Sequence, residues 1–227
     1  MAKHTTVPHE HRSVTHHAAG ADRAGILPRT EIGLQRIIYF SDAVIAIAIT
    51  LLAIEIRLPD TPIDPSRLMS ALLALSPRYV SFFISFFVIG QFWMSHHRVF
   101  EYIQTYDNRM IWINLIFLFL VAFVPFPTAV LGSYPAQLPS VIFYASLMVG
   151  LSLVRIGFWW YVYYRARLVR PETNPRIGRY EFSRAVGTAG VFGASILIAL
   201  WNPIWAMWSW LLLIPITLMI RTPRVGS

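Results

Sequence analysis

Six stretches of mostly apolar residues, separated by polar or proline-containing segments, dominate the hydrophobic pattern of the chain. They cover residues 37–56, 79–94, 110–130, 141–164, 185–201 and 204–220. A helix needs about 20 apolar residues to cross the ~30 Å hydrocarbon core of a bilayer. The second and the last two stretches are short, so we expect them to extend into their flanks. The pattern predicts an all-α membrane protein with six transmembrane helices.

Prolines mark several of the expected breaks between these spans. Because the residue before a proline is disfavoured in the helical conformation, Asn202 and Pro203 predict a tight turn between the fifth and sixth spans. Pro125 and Pro127 lie near the outer end of the third span, where we expect that helix to kink or end. The predicted transmembrane domain covers residues 31–221, between a polar tail at 1–30 and a short tail at 222–227.

The composition excludes most soluble functions. Hydrophobic residues make up 56% of the chain and charged residues 13%, whereas a soluble domain usually carries about 25% charged residues. The sequence contains no recognisable catalytic motif and no cysteine. His96 and His97 are adjacent on a predicted helix and point to different faces, so they are poorly placed to bind one metal ion together. We expect a protein that is not an enzyme, with neither a cofactor nor a metal site.

The positive charge of the chain is arranged as a topology signal. The net charge is +8, and 18 of the 19 basic residues are arginines, most of which flank apolar runs. This arrangement favours membrane insertion over nucleic-acid binding. With the N-terminus inside, fifteen basic residues fall on inner segments and three on outer ones. The positive-inside rule then predicts that both termini lie in the cytoplasm, which agrees with six spans.

Asp42 is the unusual residue of the first span, because a charged group at the bilayer centre costs at least about 2.5–3.5 kcal/mol. It lies six residues after Arg36, about 9 Å deeper along a helix and on another face. Its partners are therefore expected to come mainly from neighbouring helices. Polar candidates at comparable depth are Ser41, Trp93, His96, His97 and Asn114. On these residues alone, both a hydrogen-bonded packing cluster and a proton-relay or ion-binding role remain open.

The rest of the first span carries a stripe of bulky branched side chains. At 100° per residue, Ile47, Leu51 and Ile54 fall within about 60° of one another. Thr50 lies on the same flank and adds a single hydroxyl group. From this pattern alone, the stripe faces either lipid or the centre of a helix bundle.

Several short motifs resemble those of the transmembrane protein 175 family, the potassium channels of bacteria, archaea and lysosomes. The first is an RxxxFSD motif made of Arg36, Phe40, Ser41 and Asp42. The others are Phe92-Trp93-x-x-His96-His97-Arg98, Asn114 and Pro125-Phe126-Pro127-Thr128. The resemblance covers residue 36 to about residue 131, and the last three spans match only in number and character.

The resemblance implies a pore that is lined by the first helix and has no re-entrant selectivity loop. Because the chain contains one six-span unit, the resemblance implies a homotetramer, as in the prokaryotic members of the family. The family's pore positions fall on Ile47, Leu51 and Ile54, with Thr50 beside them, which is the stripe that helical phase selects. The residues implied as a scaffold for that helix are Arg36, Phe40, Ser41, Asp42, Trp93, His96 or His97, and Asn114.

We therefore expect a potassium-preferring cation channel in a prokaryotic inner membrane, with potassium as the permeant ion. Its expected partners are other copies of the chain and the lipid bilayer, and no nucleic acid. The main alternative is a proton-coupled or secondary transporter that uses Asp42 and His97. A non-conducting membrane scaffold is a third possibility.

Overall fold

The computed structural model describes residues 29–59 and 62–213, and the regular elements within them are helices. The α-helices are α1 (Arg29–Ile54), α2 (Leu68–Ala74), α3 (Ser76–Glu101), α4 (Asn108–Phe123), α5 (Pro125–Ser133), α6 (Leu138–Trp160), α7 (Pro175–Trp201) and α8 (Pro203–Ser209). Short 3-10 turns cover Pro65–Arg67 and Trp210–Leu212, and a π-helical turn at Tyr161–Arg165 continues α6. In this part of the chain, the only strand-like pairing is one antiparallel bridge between Ile103 and Val169.

Five helical segments of the described chain are long and apolar enough to cross a membrane. They are Thr30–Ile54, Ser76–Glu101, Asn108–Ser133, Leu138–Arg165 and Arg176–Trp201. They correspond to the first five predicted spans, and the second and fifth are longer than the apolar runs, as expected. The predicted sixth span, 204–220, begins in α8 and ends outside the described residues. The tails at 1–30 and 222–227 also lie outside them, except for Arg29 and Thr30, which begin α1.

Local sequence explains two of the helix boundaries. Pro125 begins α5 directly after Val124, so the third span is interrupted at the place that the prolines predicted and then continues. Asn202 caps α8, because its side-chain oxygen accepts hydrogen bonds from the backbone N–H groups of Ile204 at 2.9 Å and Trp205 at 3.3 Å. This cap forms the predicted tight turn between the fifth span and α8.

The helices surround an apolar core, and α1 lies along one side of it. α6 packs lengthwise against α7, whereas α1 contacts α3, α4 and α5. Ile45, Ala48 and Leu52 of α1 are buried in the core. The opposite face of α1 is not covered by the described chain, so this helix is packed on one side and open on the other.

The contact between α3 and α5 depends on a glycine. A Cβ atom at Gly132 would lie 2.6 Å from the Ser81 Oγ atom and 3.1 Å from the Arg78 Cα atom. Because Arg78 presents its backbone here, it cannot swing aside as the end of a flexible side chain could. The two helices can therefore approach this closely only when residue 132 has no side chain.

We predict that Gly132→Val lowers the melting temperature of the detergent-purified protein, since overpacking costs about 1–3 kcal/mol. Gly193 of α7 provides the control, because a Cβ atom there would meet no described atom within 4 Å. Gly193→Ala should leave the melting temperature unchanged or raise it, as alanine favours helix by about 1 kcal/mol. Equal losses of stability in the two variants would contradict the close contact.

Candidate functional site

The open face of α1 carries the four residues that the sequence singled out for a pore. Ile47, Thr50, Leu51 and Ile54 are all exposed in the single chain. The opposite face is buried, with Ile45 at 1% and Leu52 at 0% exposure. Ile47, at 58% exposure, is therefore not covered by residues 29–59 or 62–213 of its own chain.

Thr50 adds one polar group to this apolar face. Its hydroxyl group donates a hydrogen bond to the Ile47 carbonyl oxygen at 2.8 Å. The hydroxyl hydrogen is thereby satisfied, while the oxygen keeps lone pairs that can accept a hydrogen bond or contact a cation. The face thus offers branched side chains over the ~10 Å of helix from Ile47 to Ile54, with one oxygen ligand per chain among them.

A buried chain of hydrogen bonds ties the middle of α1 to α3 and α4. The Ser41 hydroxyl group donates to the Ile37 carbonyl at 2.8 Å and accepts from Asn114 Nδ2 at 2.9 Å. Asn114 Oδ1 lies 3.0 Å from His96 Nε2. Because the amide nitrogen already donates to Ser41, its oxygen must accept, and His96 carries a proton on Nε2. Ser41, Asn114 and His96 are all buried.

Asp42 contacts α3 through a separate pair. Trp93 Nε1–H donates to Asp42 Oδ1 at 2.9 Å, which is one of the partners that the sequence suggested. The Trp93 ring stacks on His97 with centroids 5.7 Å apart. The His97 side chain is 51% exposed, and its Nε2 atom lies 3.4 Å from Glu101 Oε1. Of the two adjacent histidines, His96 therefore faces the bundle and His97 faces its surface.

Arg36 and Phe40 do not join these contacts. Both side chains are exposed, Phe40 to 54%. Arg36 makes no hydrogen bond or ion pair with residues 29–59 or 62–213. Within one chain, the RxxxFSD motif therefore has two sides: Ser41 and Asp42 anchor α1, and the other two residues lie on its open face.

A second buried polar cluster joins α3 and α7, and no pattern in the sequence predicted it. Glu181 is 4% exposed, accepts a hydrogen bond from Ser95 Oγ at 2.8 Å and pairs with Arg98 Nε at 3.1 Å. Glu181 precedes the apolar run 185–201 and lies in the part of the fifth span that extends beyond it. Arg155 is buried in α6 with its guanidinium carbon 5.5 Å from the centre of the Phe92 ring.

The geometry of the site is that of a supported helix with an open apolar face. Among the residues that the structure describes, no group of three or more histidine, aspartate or glutamate side chains could hold a metal ion. Asp42 and His96 are instead engaged in single hydrogen bonds to neighbouring helices. The arrangement can hold α1 at one fixed rotation about its axis.

Comparison with known proteins identifies the family. Residues 36–125 match a family model described as the endosomal/lysosomal potassium channel TMEM175. A potassium channel of Streptomyces collinus is 37% identical over 160 residues, which cover 68% of this chain and 77% of that protein. The chain belongs to the TMEM175 family of potassium channels.

Two further matches come from Chamaesiphon minutus, one to a protein sequence and one to a crystal structure. A potassium channel of Chamaesiphon minutus is 39% identical over 156 residues, covering 65% of this chain and 77% of that protein. The crystal structure of a lysosomal potassium-selective channel TMEM175 homolog from the same organism matches with a TM-score of 0.74 at 28% identity. That match covers 84% of this chain and 100% of the other. The family membership inferred from the motifs is thus confirmed, as is an all-helical membrane fold, and these relatives are named as channels, not enzymes.

We predict that Asn114→Ala destabilises this TMEM175 chain much more than His97→Ala. The first change leaves the buried His96 Nε2–H group without its acceptor, at a cost of about 1–3 kcal/mol. The second removes two contacts at the exposed surface, the stacking on Trp93 and the pair with Glu101, and an exposed ion pair is worth about 0–1 kcal/mol. Melting temperatures in detergent would check the difference, and a larger loss for His97→Ala would contradict the assignment of His96 to the bundle.

Proposed function

We propose that this chain forms a potassium-preferring cation channel in which four copies arrange α1 around a central pore. The proposal rests above all on the open face of α1, where Ile47, Leu51 and Ile54 lie exposed while the opposite face is fully packed. Four copies related by a rotation axis would cover this face and enclose a closed ring. The potassium channels of two bacteria among the relatives support potassium as the permeant ion.

Rings of branched apolar side chains restrict ions by a different route from carbonyl coordination. Ile47, Leu51 and Ile54 offer no atoms to replace hydration water, so a cation must shed part of its shell or pass when the constriction is wet. Potassium sheds water more easily than sodium because its charge density is lower. The Thr50 ring would supply side-chain oxygens at the same level. We therefore expect a modest preference for potassium.

The hydrogen-bonded anchors of α1 would decide which residues face the pore. Ser41 and Asp42 hold the inner half of the helix against α3 and α4. Because a helix held at these points cannot rotate freely, Ile47 keeps its outward position relative to its own bundle. Arg36 and Phe40 lie within about 20° of Ile47 in helical phase, so we assign them to the inner entrance or to contacts with a neighbouring copy.

The proposed location is the inner membrane of a prokaryote, with six spans and both termini in the cytoplasm. The similarity to bacterial channels supports a location in a prokaryotic membrane. The arginine distribution supports the orientation through the positive-inside rule. A sixth span at 204–220 would complete an even number of crossings.

The transporter alternative draws less support from the contacts. Asp42 accepts a hydrogen bond from Trp93, and His97 pairs with Glu101 at the exposed surface. No direct hydrogen bond joins Asp42 to His97 in the part of the chain that the structure describes. These contacts do not form a continuous proton path between the two residues.

Ion flux into liposomes that contain the purified protein tests the proposed function. We expect potassium to flow down its own gradient, sodium to flow more slowly, and neither to need a proton gradient. Asp42→Asn should mainly reduce the yield of tetramer. Flux that saturates and requires a proton gradient, and that is lost in correctly assembled Asp42→Asn, would identify a transporter. A complete lack of flux would favour a scaffold.

Thiol labelling tests the pore face, because the chain has no native cysteine. Permeant thiol reagents should block the current of the single variants Ile47→Cys, Leu51→Cys and Ile54→Cys. The matched controls Ile45→Cys and Leu52→Cys lie on the buried face and should not respond. Block that is equal in both sets, or restricted to the controls, would show that another surface lines the pore.

A further inference from the structure

Five exposed arginines cluster where α6 ends and α7 begins. This arginine surface consists of Arg165, Arg167, Arg170, Arg176 and Arg179. None of the five side chains makes a hydrogen bond or ion pair with the described residues. Glu172 is the single acidic residue of the segment 165–179. The segment therefore carries a net positive charge, and no ion pair with a described residue offsets it.

Backbone pairing holds the middle of the arginine surface in a fixed position. The Gln104 N–H group donates to the Leu168 carbonyl at 2.9 Å, and the Arg170 N–H group donates to the Tyr102 carbonyl at 3.0 Å. Arg167 has a φ of 51°, a left-handed conformation that is uncommon outside glycine. Since the main chain is ordered in this way, the three arginines at 165, 167 and 170 are presented from a defined loop.

The arginine surface is expected at the level of the lipid headgroups in a membrane. Two apolar spans border it, one ending at Arg165 and the next beginning at Arg176. Trp160 and Tyr164 precede it and are 53% and 50% exposed, as is typical of aromatic side chains at a membrane interface. Guanidinium groups at this depth meet lipid phosphates, to which they can donate paired hydrogen bonds.

We propose that the arginine surface binds the headgroups of anionic phospholipids. Charge complementarity selects the ligand, because clusters of four to eight basic residues next to a transmembrane helix attract acidic lipids. The zwitterionic headgroup of phosphatidylcholine lacks the net negative charge that this surface requires. Phosphatidylglycerol has that charge and serves as the probe.

The same surface is joined to the helix that we propose as pore-lining. Leu34 and Ile37 of α1 pack in one apolar cluster with Ile103 and Leu168 of the paired loops. A Cβ atom at Gly33 would overlap the Tyr106 hydroxyl group. The loop between α3 and α4, which contains Tyr106, therefore lies directly against α1. Lipid binding is therefore expected to influence α1, and this consequence alone rests on the proposed channel function.

The test measures lipid retention by the full-length protein, using native mass spectrometry with phosphatidylglycerol or phosphatidylcholine added to the detergent. The wild type should retain phosphatidylglycerol preferentially. The triple variant R165Q/R167Q/R170Q should retain at least tenfold less of it, because each arginine contributes roughly fivefold. R67Q, at an exposed arginine near the other end of the bundle, is the control and should bind as the wild type does.

A triple lysine variant, R165K/R167K/R170K, keeps the charge and the topology signal but loses the paired geometry, so its retention should fall between the other two. It also provides the comparison if the glutamine variant does not assemble, and equal retention of phosphatidylglycerol and phosphatidylcholine by the wild type and the lysine variant would then contradict the proposal. If the glutamine substitutions leave the retention of phosphatidylglycerol unchanged, the arginines serve only membrane insertion and the proposal is overturned. Displacement of the lipid by equimolar inorganic phosphate would show a general anion site and overturn the lipid assignment.

Flux gives a separate readout. Potassium flux should be higher in phosphatidylglycerol vesicles than in phosphatidylcholine vesicles for the wild type, and equal in both for the glutamine variant. Absence of flux in every vesicle would contradict the channel proposal, while the mass-spectrometric comparison would still decide the lipid site.

Discussion

The rotational position of α1 depends on the buried hydrogen bonds from Ser41 through Asn114 to His96. Each of these groups is removed from water, and a buried polar group without a partner costs about 1–3 kcal/mol. A rotation of α1 that moved Ser41 away from Asn114 would incur that cost and also expose Ile45 and Leu52. Apolar packing and polar satisfaction therefore favour the same rotation, and the stripe from Ile47 to Ile54 is left open as a result.

The remaining helices provide a stable support for that arrangement. α3 contributes His96 to the anchor of α1 and, one residue earlier, Ser95 to the buried carboxylate of Glu181 on α7. Two polar clusters thus lie side by side on α3. His96 belongs to the cluster that holds α1, and Ser95 belongs to the cluster that joins α7. A change that moves α3 would disturb both, so the bundle behind α1 is expected to respond as a unit. Such rigidity would suit the channel that we propose, in which side chains of α1 and not a dedicated loop form the constriction.

Much of the fold could be predicted from local sequence, because the bilayer imposes strong rules on span length and on breaks. Apolar runs located five spans, and Asn202 with Pro203 located the turn before α8. The Asp42–Trp93 contact was among the predicted ones, since both residues fell at the same depth. Contacts between particular residues were harder to predict. Helical spacing showed that His96 and His97 point to different faces of the helix, but not which of them faces the bundle.

Other details depend on contacts between distant parts of the chain. Arg179, Glu181 and Arg184 interrupt the apolar pattern before residue 185, so the pattern predicted an extension of the fifth span but not that Glu181 is buried and paired with Arg98. The scaffold role that the resemblance implies for Arg36 and Phe40 stays a prediction, because both side chains are exposed within one chain while Ser41 is buried. Tertiary partners decide such cases, and they are distant in sequence.

A three-dimensional image of the purified assembly tests the central claim most directly. The account predicts four copies around one axis, with the four α1 helices nearest to it and Ile47, Leu51 and Ile54 forming the narrowest rings. An isolated protomer, or an assembly in which the open face of α1 is turned toward lipid, would contradict it.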